Sequence, residues 1–318
     1  MKVSLLEPIG VPESTIRELS KPIIERGHEF VYYDTKTTDP KELAKRSEGC
    51  EVVMIANNPY PAETVAAAKD LKLLSVAFTG IDHVATDACK ERGITISNCA
   101  GYSDQTVAEL TICMAISAYR KTLQSNAAVR SGGTSAGIGG REIAGKTVGI
   151  IGLGKIGMMT AKLFLAFGAK VIAFNRSKKP EAEALGIEYT DLDTLLKTSD
   201  IVSLHLPNNK ETKGFISAEK IALMKKSAVF INCARGPIVD NAALADALNN
   251  DKLSFACIDV YDMEPPIPAD YPLMKAKNTF LTPHQAFISE EAMLRRAKIV
   301  FENVYAYIDG HPQNVMAL

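Results

Sequence analysis

The chain has 318 residues, 47% of them hydrophobic and 23% charged, with a formal net charge of −1, enough length for two domains and the composition of a soluble globular enzyme. Charge this near balance speaks against a nucleic-acid surface or a polybasic membrane anchor, and the opening apolar run is too short for a signal peptide. The six cysteines (Cys50, Cys89, Cys99, Cys113, Cys233, Cys257) show no C-x-x-C and no histidine at metal spacing, so they read as reduced, mostly buried thiols of a cytoplasmic protein without a metal site.

In chain order, strands are expected at 3–6, 30–33, 52–56, 73–78 and 94–97, with helices at 13–26, 62–69 and 86–92 among them. Such alternation implies a parallel sheet with helices on both faces. A long helix over 104–130 then carries the chain away. Its part 106–118 is apolar on most sides, carries Glu109 and is too short to span a bilayer, so burial in a core or at a subunit interface is expected. The glycine-rich run from Ser131 to Gly140 lacks periodicity and reads as a crossing loop. From Thr147 a second series begins, with strands near 147–151, 170–174, 201–206, 228–233, 254–260 and 279–282. Six parallel strands of this kind match a doubly wound dinucleotide-binding fold. A last helix over 290–309 is expected to pack back onto the first domain. The domains are then 1–100 plus 286–318, and 101–285, with a cleft between them.

Directly after the first strand of the second series stands Gly152-Leu153-Gly154-Lys155-Ile156-Gly157, followed by an apolar helix. Glycines there let the chain turn tightly and let its backbone approach a pyrophosphate, whose charge meets the helix N-terminus. The next strand ends in Phe174-Asn175-Arg176-Ser177-Lys178-Lys179, where an NAD-preferring site places an acid on the ribose hydroxyls. Arg, Lys and a hydroxyl attract a 2′-phosphate instead, so NADP(H) is favoured over NAD(H). The alternative is a solvated loop whose basic residues point away, with Asn175 holding a ribose hydroxyl.

Three further segments follow the later strands, where open α/β sheets place their ligands. Asn232-Cys233-Ala234-Arg235-Gly236 offers a guanidinium able to grip a carboxylate and a carbonyl oxygen together. Ile258-Asp259-Val260-Tyr261-Asp262-Met263-Glu264-Pro265-Pro266 carries a glutamate before two prolines, and Leu281-Thr282-Pro283-His284-Gln285-Ala286 carries an imidazole. A carboxylate beside an imidazole favours its charged form and selects its tautomer. Singly, each residue has an ordinary structural reading; in this order, each at a strand end, they read as an acid/base pair beside a substrate-gripping cation.

With these motifs the chain resembles the D-isomer-specific 2-hydroxyacid dehydrogenase family over nearly its whole length. Thr79-Gly80-Ile81-Asp82-His83 and Thr106-Val107-Ala108-Glu109 also look like family signatures. The resemblance implies an α/β protein of two doubly wound parallel-sheet domains, a Rossmann cofactor domain and a flavodoxin-like substrate domain. It implies Arg235 as the substrate-orienting cation, His284 as proton donor to the keto oxygen, and Glu264 as the residue that orients and charges His284. Backbone amides around Thr79 and Gly80 would hold the substrate carboxylate, with Phe78 narrowing the pocket beside Asn57-Asn58-Pro59-Tyr60. Asp259 and the Cys233-Ala234 segment would face the nicotinamide carboxamide, with His284 and Ala286 alongside. Thr106 would lie near the nicotinamide, and His205-Leu206-Pro207 near the adenosine side.

The implied activity is NAD(P)-dependent reduction of a small 2-keto acid to a D-2-hydroxy acid, best matched by glyoxylate or hydroxypyruvate, in a homodimer formed through 104–130. Lactate formation and larger keto acids are the nearest alternatives. A dinucleotide-sensing interaction protein of the corepressor type is a second class, and phosphite or formate oxidation a third. Glu264 speaks against formate dehydrogenases, which pair the histidine with glutamine. The chain departs from the family in Asn175, where an acid is common, in having no tryptophan in the crossing loop, and in showing no regulatory domain after the last helix.

Overall fold

The computed structural model describes residues 1–317 and divides the chain into two compact units, Met1–Ser103 with Ile288 onward, and Asp104–Phe287.

In the first unit, strands β1 (Lys2–Leu5), β2 (Glu29–Tyr32), β3 (Val52–Ile55), β4 (Leu73–Val76) and β5 (Thr95–Ser97) form a sheet in the order β2-β1-β3-β4-β5. All its pairings are parallel. β3 and β4 are buried along their whole length, as strands covered on both faces must be. The final helix Glu290–Ile308 packs on β4 and on the helix Glu13–Glu25. Its N-terminus is capped by Ser289, whose side chain accepts from the Ala292 amide. A short helix that the sequence reading passes over, Pro40–Arg46, starts on Asp39, whose carboxylate accepts from the Lys41 amide.

The second unit holds seven parallel strands: β6 (Thr147–Ile151), β7 (Lys170–Phe174), β8 (Glu188–Tyr189), β9 (Ile201–Leu204), β10 (Val229–Asn232), β11 (Phe255–Ile258) and β12 (Thr279–Leu281). Their order is β8-β7-β6-β9-β10-β11-β12, so the direction of winding reverses between β6 and β9. Two-residue alternation sorts the buried strand side chains into two cores. Val148, Ile150, Val229 and Ile231 face the helices Asp104–Arg120 and Lys155–Ala166. Ile151, Val202, Leu204 and Phe230 face the helices Leu192–Thr198 and Asn241–Asn249.

Two expectations are corrected. The second sheet has seven strands rather than six, because the two-residue β8 pairs with β7; Glu188-Tyr189 is too short to leave a periodic signal. The helix expected over 104–130 is two helices, Asp104–Arg120 and Thr122–Arg130. Lys121 adopts the left-handed conformation at φ +52°, which ends the first helix. The first helix is largely buried within its own unit, against the helix Lys155–Ala166, β10 and β11; the second buries none of its residues. Five cysteines are buried and Cys113 is exposed; all six are free.

Candidate active site

The glycine loop sits at the carboxyl end of β6, at the reversal of strand order. Gly152 has φ +93°, and a Cβ there would lie 2.6 Å from the carbonyl oxygen of His205. A Cβ on Gly157 would lie 2.1 Å from the Gly152 carbonyl oxygen, whereas one on Gly154 would meet nothing within 4 Å. Gly152 and Gly157 thus close the turn on itself, and Gly154 leaves open space at the head of the helix Lys155–Ala166. That helix has no side-chain cap at Gly154, so the first amide groups, of Lys155, Ile156 and Gly157, offer an anion-binding end. These residues fit a dinucleotide pyrophosphate.

Asn175 follows β7 and makes contacts on both sides. Its Oδ1 accepts from the Leu153 amide at 2.9 Å and its Nδ2 donates to the Ser177 carbonyl at 2.7 Å. The side chain expected to meet a ribose hydroxyl therefore ties the phosphate loop to the 175–177 turn. Arg176, Ser177 and Lys178 are exposed. His205, after β9, is held to the Ser203 hydroxyl at 2.9 Å, and burial lowers its pKa to about 4. Pro207 is exposed, and its carbonyl accepts from the Thr212 hydroxyl at 2.5 Å. Thr106 lies half-buried in the first turn of the helix Asp104–Arg120.

Arg235, Glu264 and His284 lie beyond the ends of β10, β11 and β12, three neighbouring strands. Asn232 shapes the first turn: its Oδ1 accepts from the Ala234 amide at 2.9 Å and its Nδ2 donates to the Arg235 carbonyl at 3.0 Å. Cys233 is buried with its thiol 3.6 Å from the Met114 sulfur, and burial pushes the thiol up. His284 Nδ1 stands 2.7 Å from Glu264 Oε2. The histidine side chain is 10% exposed and the glutamate 59%, so the pair is open to solvent on the carboxylate side and is a weak stabiliser of the fold.

His284 itself has φ +54°, a conformation that costs a non-glycine residue on the order of 1–3 kcal/mol and needs outside support. Asp259, fully buried at the end of β11, supplies it. Its Oδ1 accepts from the Thr282 hydroxyl (2.6 Å) and the Gln285 amide (2.9 Å), and its Oδ2 from the Ala286 amide (2.9 Å). The Asp259 carbonyl accepts from the His284 amide at 2.8 Å. Burial raises the Asp259 pKa, and these hydrogen bonds pull it back. The residue expected to face a carboxamide thus wraps the histidine loop around its own carboxylate.

Phe78, Thr79 and Gly80 lie in the first unit, just past β4. Phe78 is buried, in an edge-to-face arrangement with His83 at 6.3 Å. Thr79 accepts at its carbonyl from Asn98 Nδ2 at 2.8 Å. Missed by sequence reasoning is Glu7, buried at the end of β1. Its Oε1 accepts from the Ala56 and Asn58 amides at 2.8 and 3.1 Å, and burial raises its pKa. The only sequence signal was an acidic residue directly after an apolar strand.

The family model for "D-isomer specific 2-hydroxyacid dehydrogenase, NAD binding domain" matches residues 112–286. A glycerate dehydrogenase of Methylorubrum extorquens is 37% identical over 96% of this chain and 95% of its own length. A glyoxylate reductase of Thermofilum pendens is 34% identical, over 89% of this chain and 86% of its own. Among solved structures, an acyclic imino acid reductase in complex with NADPH and D-Arg superposes with a TM-score of 0.89 at 31% identity, over the full length of both chains.

Proposed function

The chain belongs to the D-isomer-specific 2-hydroxyacid dehydrogenase family, and from that premise we propose that it reduces glyoxylate or hydroxypyruvate to the 2-hydroxy acid, with NADPH preferred over NADH. That it is an oxidoreductase of this family, using a nicotinamide cofactor, follows from membership; the substrate, the cofactor preference and the residue roles are our reading.

The observation that carries the reading is the 2.7 Å contact between His284 Nδ1 and Glu264 Oε2. In our reading the carboxylate engages Nδ1 and orients the ring, and Nε2 exchanges a proton with substrate. When bound, the nicotinamide supplies the hydride. Arg235 orients the keto acid and stabilises the charge that develops on its keto oxygen. His284 gives that oxygen its proton from Nε2, and Glu264 accepts from Nδ1–H throughout, so the ring is left as the neutral Nδ1–H form. In the reverse direction, neutral His284 removes the hydroxyl proton.

NADPH preference is supported by chemistry past β7. No acid stands there to repel a 2′-phosphate, Asn175 secures the turn from both sides, and Arg176, Ser177 and Lys178 are exposed on it. A solved relative of the same fold was captured with NADPH. A homodimer through the 104–130 region is our further reading, supported by the helix Thr122–Arg130, whose Leu123 and Val129 are 43% and 72% exposed.

The test is initial rates of NADPH and NADH oxidation with glyoxylate, hydroxypyruvate, pyruvate and phenylpyruvate. Fast oxidation of NADPH with glyoxylate or hydroxypyruvate is expected. Faster turnover of phenylpyruvate, or equal use of both cofactors, would overturn the substrate or the cofactor assignment respectively.

A further inference from the structure

Arg235, Glu264 and His284 are carried by three separate loops, and parallel pairing of β10, β11 and β12 stops before any of them begins. Asp259 ties the His284 loop to the end of β11, and the Arg235 turn and the Glu264 loop need ties of their own. Four side chains outside the reacting set link all three loops. Asn241, buried at the start of the helix Asn241–Asn249, donates through one Nδ2 to two acceptors, the Gly236 carbonyl at 3.1 Å and Asp262 Oδ1 at 3.0 Å. The other Asp262 oxygen accepts from the Tyr271 hydroxyl at 2.8 Å. Tyr271 packs edge-to-face on Tyr261 at 5.8 Å, and the Tyr261 hydroxyl donates to the Thr282 carbonyl at 2.9 Å, two residues before His284.

We propose that the Asn241–Asp262–Tyr271 bracket is the positioning device that holds the Arg235 turn in register with the Glu264 and His284 loops. The inference rests on the 2-keto acid reading of that site. The chain of contacts touches each loop beside its functional residue: Gly236 adjoins Arg235, Asp262 lies two residues before Glu264, and Thr282 two before His284. Contact across the first junction is so close that a Cβ on Gly236 would sit 2.0 Å from the Tyr261 carbonyl. The amide of Asn241 cannot be reversed, since both groups facing its nitrogen are acceptors. Asp262 suits the middle position because its two oxygens receive two donors arriving from different elements.

A displacement of about 1 Å between reacting groups costs up to roughly a hundredfold in rate. Tyr271→Phe and Asp262→Ala are therefore expected to lower kcat by about tenfold or more. The KM for the nicotinamide cofactor should stay within about twofold, because the glycine loop lies two strands away at β6. Asp262→Asn keeps an acceptor for Asn241 and can donate to the Tyr271 oxygen, so it should retain kcat within about threefold. Steady-state kinetics well below the melting temperature, run alongside hydrogen–deuterium exchange of peptides spanning 233–238 and 261–267, test this. Tyr271→Phe should raise exchange in both peptides, a readout that needs no substrate. If the wild-type protein turns over no keto acid while exchange still rises, the functional reading fails and the bracket stands as a loop clamp. Unchanged kcat and exchange in Tyr271→Phe would overturn the bracket. A loss in Asp262→Asn as deep as in Asp262→Ala would overturn it too, since charge rather than bridging would then be what matters.

Discussion

At the scale of single residues, the site divides into groups that act and groups that hold. Arg235 and His284 are the acting pair in our reading, and replacing either with alanine should lower 2-keto acid reduction by at least about a hundredfold with the fold intact. Near wild-type turnover in either variant would remove that residue from the mechanism. Arg176→Ala should raise the KM for NADPH by about tenfold and leave that for NADH within about twofold, as expected when one charge-assisted contact to a phosphate is lost; equal changes in both would relocate the selectivity. His205 makes a pH prediction. Its folded pKa of about 4 lies below the unfolded value of 6.5, so between these limits the unfolded chain holds the extra proton. Stability is then full above pH 6.5 and falls as pH drops toward 4, by on the order of 3 kcal/mol. His205→Asn should flatten that part of the stability profile measured by urea unfolding; an unchanged slope would mean that other groups titrate there.

At the scale of elements, the turn after β6 is the most constrained piece. Gly157→Ala would drive a methyl group against the Gly152 carbonyl at 2.1 Å, so the turn must open and the helix N-terminus must tilt away. Loss of cofactor binding by fluorescence titration, at least about tenfold, is the expected outcome; unchanged affinity would show that the turn can relax. This element was legible in the sequence because its signal is local: an apolar strand, spaced glycines and an apolar helix within about thirty residues. Both strand series were legible for the same reason, through runs such as Val52-Val53-Met54-Ile55 and Phe230-Ile231. Lys121 was not, since nothing in its chemistry marks a left-handed residue, and the break it makes splits a periodic stretch without a glycine or proline. β8 was too short to leave a pattern. The partners of Asn241, Asp262 and Tyr271 lie 21 and 9 positions apart, and no spacing rule links them. Asp259 could be singled out as a residue near the site, but its grip on Thr282, Gln285 and Ala286 exists only once β11 and β12 lie side by side.

At the scale of the whole molecule, assembly is the first question. The helix Thr122–Arg130 buries nothing within its own unit and exposes Leu123 and Val129, so light scattering at micromolar concentration should give twice the mass of one chain. Val129→Asp should shift that mass toward the monomer, and a monomeric wild type would dismiss the dimer. The division of the chain has a further consequence, for its synthesis. The cofactor-binding unit is one continuous run, Asp104–Phe287, whereas the other unit needs the helix Glu290–Ile308 to cover β4. A chain that ends before residue 290 can therefore close the core of its middle unit while β4 still waits for its last helix. A chain truncated after residue 289 and released should present a protease-resistant central fragment and a protease-sensitive N-terminal hundred residues, and it should recruit chaperones to the unit that was made first.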